Sequence, residues 1–165
     1  MKKIYFDLDG VMANFELAVV EHTGMHYWDR TTNASSYWHI LETVPNLYYN
    51  LEVIPGAWTM FNEVYKKHGP DVVEVLTGCP KPTGLLATSS SDKKLWVRDV
   101  INDEVKVNTI VGGINKYLYL EENPGSLLID DYLRNIKSWI AAGGVGILHT
   151  DAPSTIAKLK VLGLL

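Results

Sequence analysis

The sequence predicts an α/β fold, a doubly wound parallel sheet of Rossmann-like type with a small helical segment inserted after its first strand. Three observations predict it. Short apolar runs rich in β-branched residues alternate along the chain with stretches of helical spacing. Most of these runs end in polar or glycine residues, which fits strands whose carboxyl ends form a site. One aromatic-rich interval, residues 14–54, breaks the alternation directly after the first run.

The first run lies in "KKIYFDLDGVMANF", residues 2–15, where Ile4 to Leu8 reads as a buried strand ending at Asp7 and Gly10 signals a turn. The interval 14–54 holds Phe15, Tyr27, Trp28, Tyr37, Trp38, Tyr48 and Tyr49 around a polar "DRTTNASS" and closes at "IPGA". A helical insertion placed over the first strand's end accounts for it, so residues 1–13 and 55–165 form a core and 14–54 a cap. Ala57 to His68 has helical spacing. "VVEVLTG" (72–78) is the next strand, followed by a helix over Asp92 to Ile101. "VKVNTIVGG" (105–113) is a third strand and "SLLIDD" (126–131) a fourth, ending in two aspartates. A helix over Leu133 to Ala142, a short strand "VGILH" (145–149) and a helix over Ser154 to Leu162 complete the chain. His149 marks a strand end, and Cys79 fills a loop.

Composition bounds the function. The length, 165 residues, suits one core with a small insertion, and 47% hydrophobic content is enough to bury it. A net charge of -4 offers no basic field for long nucleic acid. A single cysteine makes neither an internal disulfide nor a thiolate metal site. No stretch approaches the ~20 apolar residues of a membrane span, so a cytoplasmic protein is expected, and a homodimer is left open.

The carboxylates carry the chemistry. Asp7 and Asp9 are two residues apart on an extended segment that turns at Gly10, so both side chains converge on one place. Asp130 and Asp131 supply two more at another strand's end. Converging carboxylates raise one another's pKa values unless a cation relieves them. An all-oxygen donor set without histidine or cysteine favours magnesium over zinc, and magnesium of this kind points to phosphoryl chemistry. Thr77 and the amide of Gly78 are placed to donate to phosphate oxygens, and Lys116 to neutralise charge on the transferring group.

"FDLDGVMANF", "VLTGCP", a lysine before the last motif, and "LLIDD" resemble the four motifs of haloacid dehalogenase-type phosphohydrolases. Within them the chain is similar to 5'(3')-deoxyribonucleotidases, through "YW" in the insertion, "LEVIPGA" leading out of it and "KKLWV" after the second motif. The resemblance implies hydrolysis of nucleoside monophosphates with Asp7 as nucleophile and Asp9 as general acid, then base. It implies magnesium between the Asp7 carboxylate, the Asp9 carbonyl and one or both of Asp130 and Asp131. Lys93 becomes a second phosphate-side cation beside Thr77, Gly78 and Lys116, and Phe15, Tyr37 and Trp38 an aromatic wall for sugar and base. Asn14, Gly78 and Tyr132 depart from the residues frequent in that family. Two alternatives stand beside this reading, a phosphatase of another small phosphate ester and a phospho-accepting receiver domain.

Overall fold

The computed structural model describes residues 2–26 and 30–165, including the side chains of all of these except 30–35. Tyr27 and Trp28, part of the expected aromatic interval, lie outside the described residues.

Five parallel strands form one sheet in the order β3-β2-β1-β4-β5, made by β1 (Ile4–Phe6), β2 (Val73–Cys79), β3 (Val107–Val111), β4 (Leu127–Asp130) and β5 (Val145–Leu148). The chain builds outward from β1 to β3, then crosses back to β4 on the other side of β1. That reversal puts a crevice at the carboxyl end of β1, where open α/β sheets bind ligands. It also separates this sheet from the receiver-type order 2-1-3-4-5, so the phospho-accepting alternative does not fit the topology.

Alternation along the strands explains the two layers. Ile4 and Phe6 of β1 and Leu127 and Ile129 of β4 join one buried cluster, whereas Tyr5 and Leu128 face a second. On the first face Phe6 meets Phe61 edge-on, 5.1 Å between ring centroids, from helix α3 (Ala57–His68). On the second, Tyr5 meets Trp139 edge-on at 5.7 Å; Trp139 belongs to α5 (Leu133–Ala141). The terminal helix α6 (Ala152–Val161) packs with α3.

Residues 14–54 contain α1 (Phe15–Thr23) and α2 (Arg30–Leu41). Asn14 caps α1, its Oδ1 accepting from the Leu17 amide at 3.1 Å. The segment leaves and returns at one place: the Asn14 amide donates to the Glu52 carbonyl at 2.7 Å and the Ile54 amide to the Met12 carbonyl at 2.8 Å. Phe15, Val19, Tyr37, Leu41 and Tyr48 join the same buried cluster as Ile4 and Phe6.

Two local expectations need correction. The helix expected from Asp92 starts earlier, as α4 (Ser89–Trp96), and ends in a wider π turn over Val97–Ile101. The Thr88 hydroxyl donates to the Asp92 carboxylate at 3.0 Å and the Ser91 hydroxyl to the Thr88 carbonyl at 2.7 Å, so the serines are carried by local side-chain bonds rather than by propensity. Cys79 is the last residue of β2, paired with Val111, and does not sit in a loop, because pairing with β3 runs one residue past Gly78. Beyond β3 a 3₁₀ helix, Gly113–Leu120, carries Lys116. No helix among the described residues is long and apolar enough to cross a membrane.

Candidate active site

Register brings the motifs to one level. Phe6 pairs with Val75 on one side and Ile129 on the other, so Asp7 and Asp130 each follow directly on paired residues. The Asp7 amide donates to the Ile129 carbonyl at 2.8 Å, and the His149 amide to the Asp130 carbonyl at 2.9 Å. Asp7 and Asp130 continue the face of Tyr5 and Leu128, whereas Thr77 continues the face of Val73 and Val75.

Two lysines reach this level from opposite sides of the sheet. Lys116, buried on the Tyr5 side, places Nζ 2.8 Å from Asp7 Oδ1 and 2.6 Å from Asp130 Oδ2. Lys93, buried on the other side on α4, donates to Asp9 Oδ2 at 2.6 Å, to Thr77 Oγ1 at 3.0 Å and to the Gly78 carbonyl at 2.7 Å. Its ammonium also lies 4.4 Å from the centroid of the Tyr48 ring, within cation–π range. Asp7 Oδ1 accepts from the Leu8 amide at 2.8 Å as well as facing Lys116. Oδ2 is therefore the less committed atom. Asp130 accepts from the Tyr132 amide at 2.8 Å and from Asn135 Nδ2 at 3.1 and 3.2 Å.

Asp131 depends on Gly10. That glycine has φ +75°, and a Cβ there would overlap the Asp131 carboxylate, so the turn after Asp9 leaves room for a third carboxylate. Gly78 is a second enforced glycine. A Cβ would come within 2.8 Å of Gly113 Cα, because the end of β2 packs directly on the glycine turn after β3. A serine in place of Gly78 has no room here.

Four aspartates face two lysines, and the protonation equilibria record the imbalance. Burial, then the charges of Asp7, Asp130 and Asp9, push Asp131 up to about 8. Burial and Asp7 push Asp130 to about 6 against the pull of Lys116. Asp9 is raised by burial and by Asp7, with Lys93 opposing. Burial alone would lower Lys116, but Asp7 and Asp130 outweigh it and raise the ammonium's pKa.

Asp7, Asp130 and Asp131 each offer a carboxylate oxygen, and these lie within 4.8 Å of one another. Hard oxygen donors carrying excess negative charge fit a divalent cation such as magnesium. The Asp9 carboxylate stands outside this cluster and faces Lys93 instead.

A cavity of about 300 Å³ opens over the strand ends, lined by the polar Asp7, Lys116 and Asn135, by Gly78, and by the aromatic Phe15, Trp38 and Tyr48. Phe15 stacks on Tyr48 at 5.4 Å with 7° between the rings, and on Trp38 at 6.3 Å and 28°. Tyr37 is not part of this wall. It is buried in the core, with Trp38 edge-on against it at 5.1 Å. Sequence motifs did not single out Tyr48, which sits in irregular turns where no periodicity marks a face. They did not single out Asn135 either; its signal is a polar residue in the first turn of the helix that follows the paired aspartates. A second cavity of about 400 Å³ adjoins the first, and Asp9, Phe15 and Asp131 line both.

No protein-family model and no curated protein matches the chain. Solved structures do. A hydrolase of the HAD (haloacid dehalogenase) family from Deinococcus radiodurans, with bound phosphate and sodium, is similar at a TM-score of 0.62 and 14% identity, over 100% of this chain and 97% of that one. A hydrolase from Streptococcus pneumoniae is similar at 0.57 and 15%, over 99% and 100%. The L-2-haloacid dehalogenase of Xanthobacter autotrophicus is similar at 0.52 and 14%, over 99% and 83%. This chain has their fold.

Proposed function

We propose that a chain with this fold and this cluster of carboxylates is a magnesium-dependent phosphohydrolase of the haloacid dehalogenase type, releasing phosphate from (deoxy)nucleoside monophosphates. The observation that carries the reading is the lysine-braced carboxylate network. Lys116 holds Asp7 and Asp130 together, while Lys93 holds Asp9 separately beside Thr77. This separates a nucleophile from a proton carrier, as two-step phosphoryl transfer requires.

Asp7 Oδ2, the atom without a donor, attacks phosphorus. The bond to the ester oxygen breaks, and Asp9 gives that oxygen its proton; the raised pKa of Asp9 suits it to carry one. An aspartyl-phosphate forms on Asp7. Asp9, now a carboxylate, takes a proton from water, which attacks phosphorus and returns Asp7 to its starting state. Thr77 Oγ1 accepts from Lys93, which leaves its own hydroxyl proton to donate to a phosphate oxygen. Lys116 balances charge on the transferring group. Asp7, Asp130 and Asp131, with the Asp9 carbonyl, would hold magnesium, which would supply the charge neutralisation needed beside a dianionic ester.

That the Deinococcus protein holds a phosphate supports phosphate as a ligand of the shared fold. Trp38 is the partly exposed aromatic of this wall, with Phe15 and Tyr48 nearly buried beside it, and it favours a flat leaving group, since nucleobases stack on aromatic faces for about 1–3 kcal/mol per base. The test is turnover of a panel of nucleoside and sugar monophosphates with magnesium and with excess EDTA. Magnesium-dependent release from nucleotides ahead of sugar phosphates is expected. Full turnover in EDTA overturns the metal assignment, and preference for a sugar phosphate overturns the nucleotide assignment.

A further inference from the structure

The second cavity is built differently from the first. Its wall contains Asp9, Glu16, Asp131 and Asp151 and, among its lining residues, no lysine or arginine. Ile54, Pro55 and Pro153 give it an apolar side. His149 is part of the wall and is 96% buried, at 4% exposure. Its ring is fixed: Nδ1 lies 2.8 Å from the buried Thr155 hydroxyl, and its backbone amide is tied to the Asp130 carbonyl. The other ring nitrogen, Nε2, has no protein partner among the described residues. Asp151, by contrast, is committed to capping α6, accepting from the Ser154 amide at 2.7 Å and from the hydroxyls of Ser154 and Thr150.

We propose that this cavity is a subsite for the uncharged, hydroxyl-bearing sugar of the substrate, in which His149 Nε2 hydrogen-bonds the hydroxyl that is not esterified and the acidic wall refuses a second phosphate. The inference rests on the monophosphate reading above. Asp9 protonates the ester oxygen, so the carbon skeleton attached to that oxygen lies next to Asp9, which lines both cavities. Trp38 and Tyr48 line only the first, which takes the flat base. The second offers one fixed ring nitrogen and apolar walls, the mixture that binds an uncharged polar group in a fixed orientation. A second phosphate there would meet Glu16 and Asp151, with no lysine or arginine among the lining residues, and like charges brought together in a binding site cost several kcal/mol. The substrate class narrows accordingly, to monophosphates with a free second hydroxyl and not bisphosphates.

The experiment compares thymidine 5'- or 3'-monophosphate, whichever is turned over, with its analogue lacking the other hydroxyl and with thymidine 3',5'-bisphosphate. Each is assayed with the wild-type protein and with His149→Phe, alongside p-nitrophenyl phosphate. One neutral hydrogen bond corresponds to about 2–10-fold in affinity. The analogue is expected to show a KM raised by that factor with the wild-type protein, and the bisphosphate a kcat/KM lower by about 100-fold or more. His149→Phe should raise KM for the monophosphate by the same factor, leave KM for the analogue unchanged and leave p-nitrophenyl phosphate turnover intact. Equal KM for monophosphate and analogue with the wild-type protein, good turnover of the bisphosphate, or a variant that harms both ligands alike overturns the subsite. Should the variant fail to fold, the wild-type comparison decides alone. Absence of turnover on every nucleotide overturns the parent reading as well, and is distinguished by that total loss.

Discussion

Raising the pH of the magnesium-free protein from about 5 to about 8 is expected to lower its melting temperature. The perturbation acts on Asp131, whose pKa stands at about 8 in the folded chain against an ordinary 3.8. A carboxyl group raised on folding binds its proton more tightly in the native state. Its stabilising contribution is complete below the unfolded value and is lost as pH climbs through the folded one. The full shift corresponds to about 5–6 kcal/mol at 1.36 kcal/mol per unit, and the part between pH 5 and 8 to about 3–4 kcal/mol. Asp130, raised to about 6, acts in the same direction. His149, whose pKa burial lowers from 6.5, opposes them at the acid end of the window. For a chain of this size each kcal/mol moves the melting temperature by about 2–4 °C, so a fall of about 6–16 °C is expected by calorimetry. Saturating magnesium should reverse the trend, because it binds the ionised carboxylates of the folded chain and stabilises it as the logarithm of its concentration over its dissociation constant. Its stabilisation should be larger at pH 8 than at pH 5. Asp131→Asn removes the titrating group and should flatten the magnesium-free profile. A melting temperature that is flat or rises with pH, or a magnesium shift equal at both ends, refutes the reasoning.

Asp9→Asn should cut turnover of a nucleoside monophosphate by about 10²–10⁴-fold, the usual scale of general acid–base help. In single-turnover assays it should slow intermediate formation from p-nitrophenyl phosphate less, since that leaving group needs little protonation. Trp38→Ala should raise KM for nucleotides with little change in kcat, and leave p-nitrophenyl phosphate indifferent. Parallel losses on both, with a large drop in melting temperature, would make Trp38 a packing residue. Gly78→Ser should destabilise the fold by about 1–3 kcal/mol, the usual overpacking cost, because the new Cβ meets the Gly113 backbone. An unchanged denaturant midpoint would contradict that close approach.

The strands were legible because buried parallel strands read as near-continuous apolar runs, and "VEVLT" and "LLID" show this plainly; the face each residue takes was not, since such runs do not alternate. The ends carrying Asp7, Thr77 and Asp130 followed from the same runs. Side-chain partners across the sheet were not legible. That Lys93 faces Asp9 while Lys116 spans Asp7 and Asp130 depends on which face α4 and the 3₁₀ helix cover. Spacing along the chain does not encode that choice. Tyr37 and Trp38 are adjacent in sequence, yet one turns into the core and the other lines the cavity, a difference set by how α2 packs. The cavity beside His149 depends on where α6 begins relative to the loop after β1, and no local motif marks it.

The central claim, a phosphoryl group carried on Asp7, is tested most directly by trapping it. The protein is mixed with magnesium and thymidine monophosphate labelled on phosphorus, quenched in acid during a single turnover, digested and mapped by peptide. The account predicts acid-stable label on the peptide containing Asp7, and its loss in Asp7→Asn together with phosphate release. Phosphate release by the wild-type protein with no labelled peptide at any time, or label retained in Asp7→Asn, would contradict it.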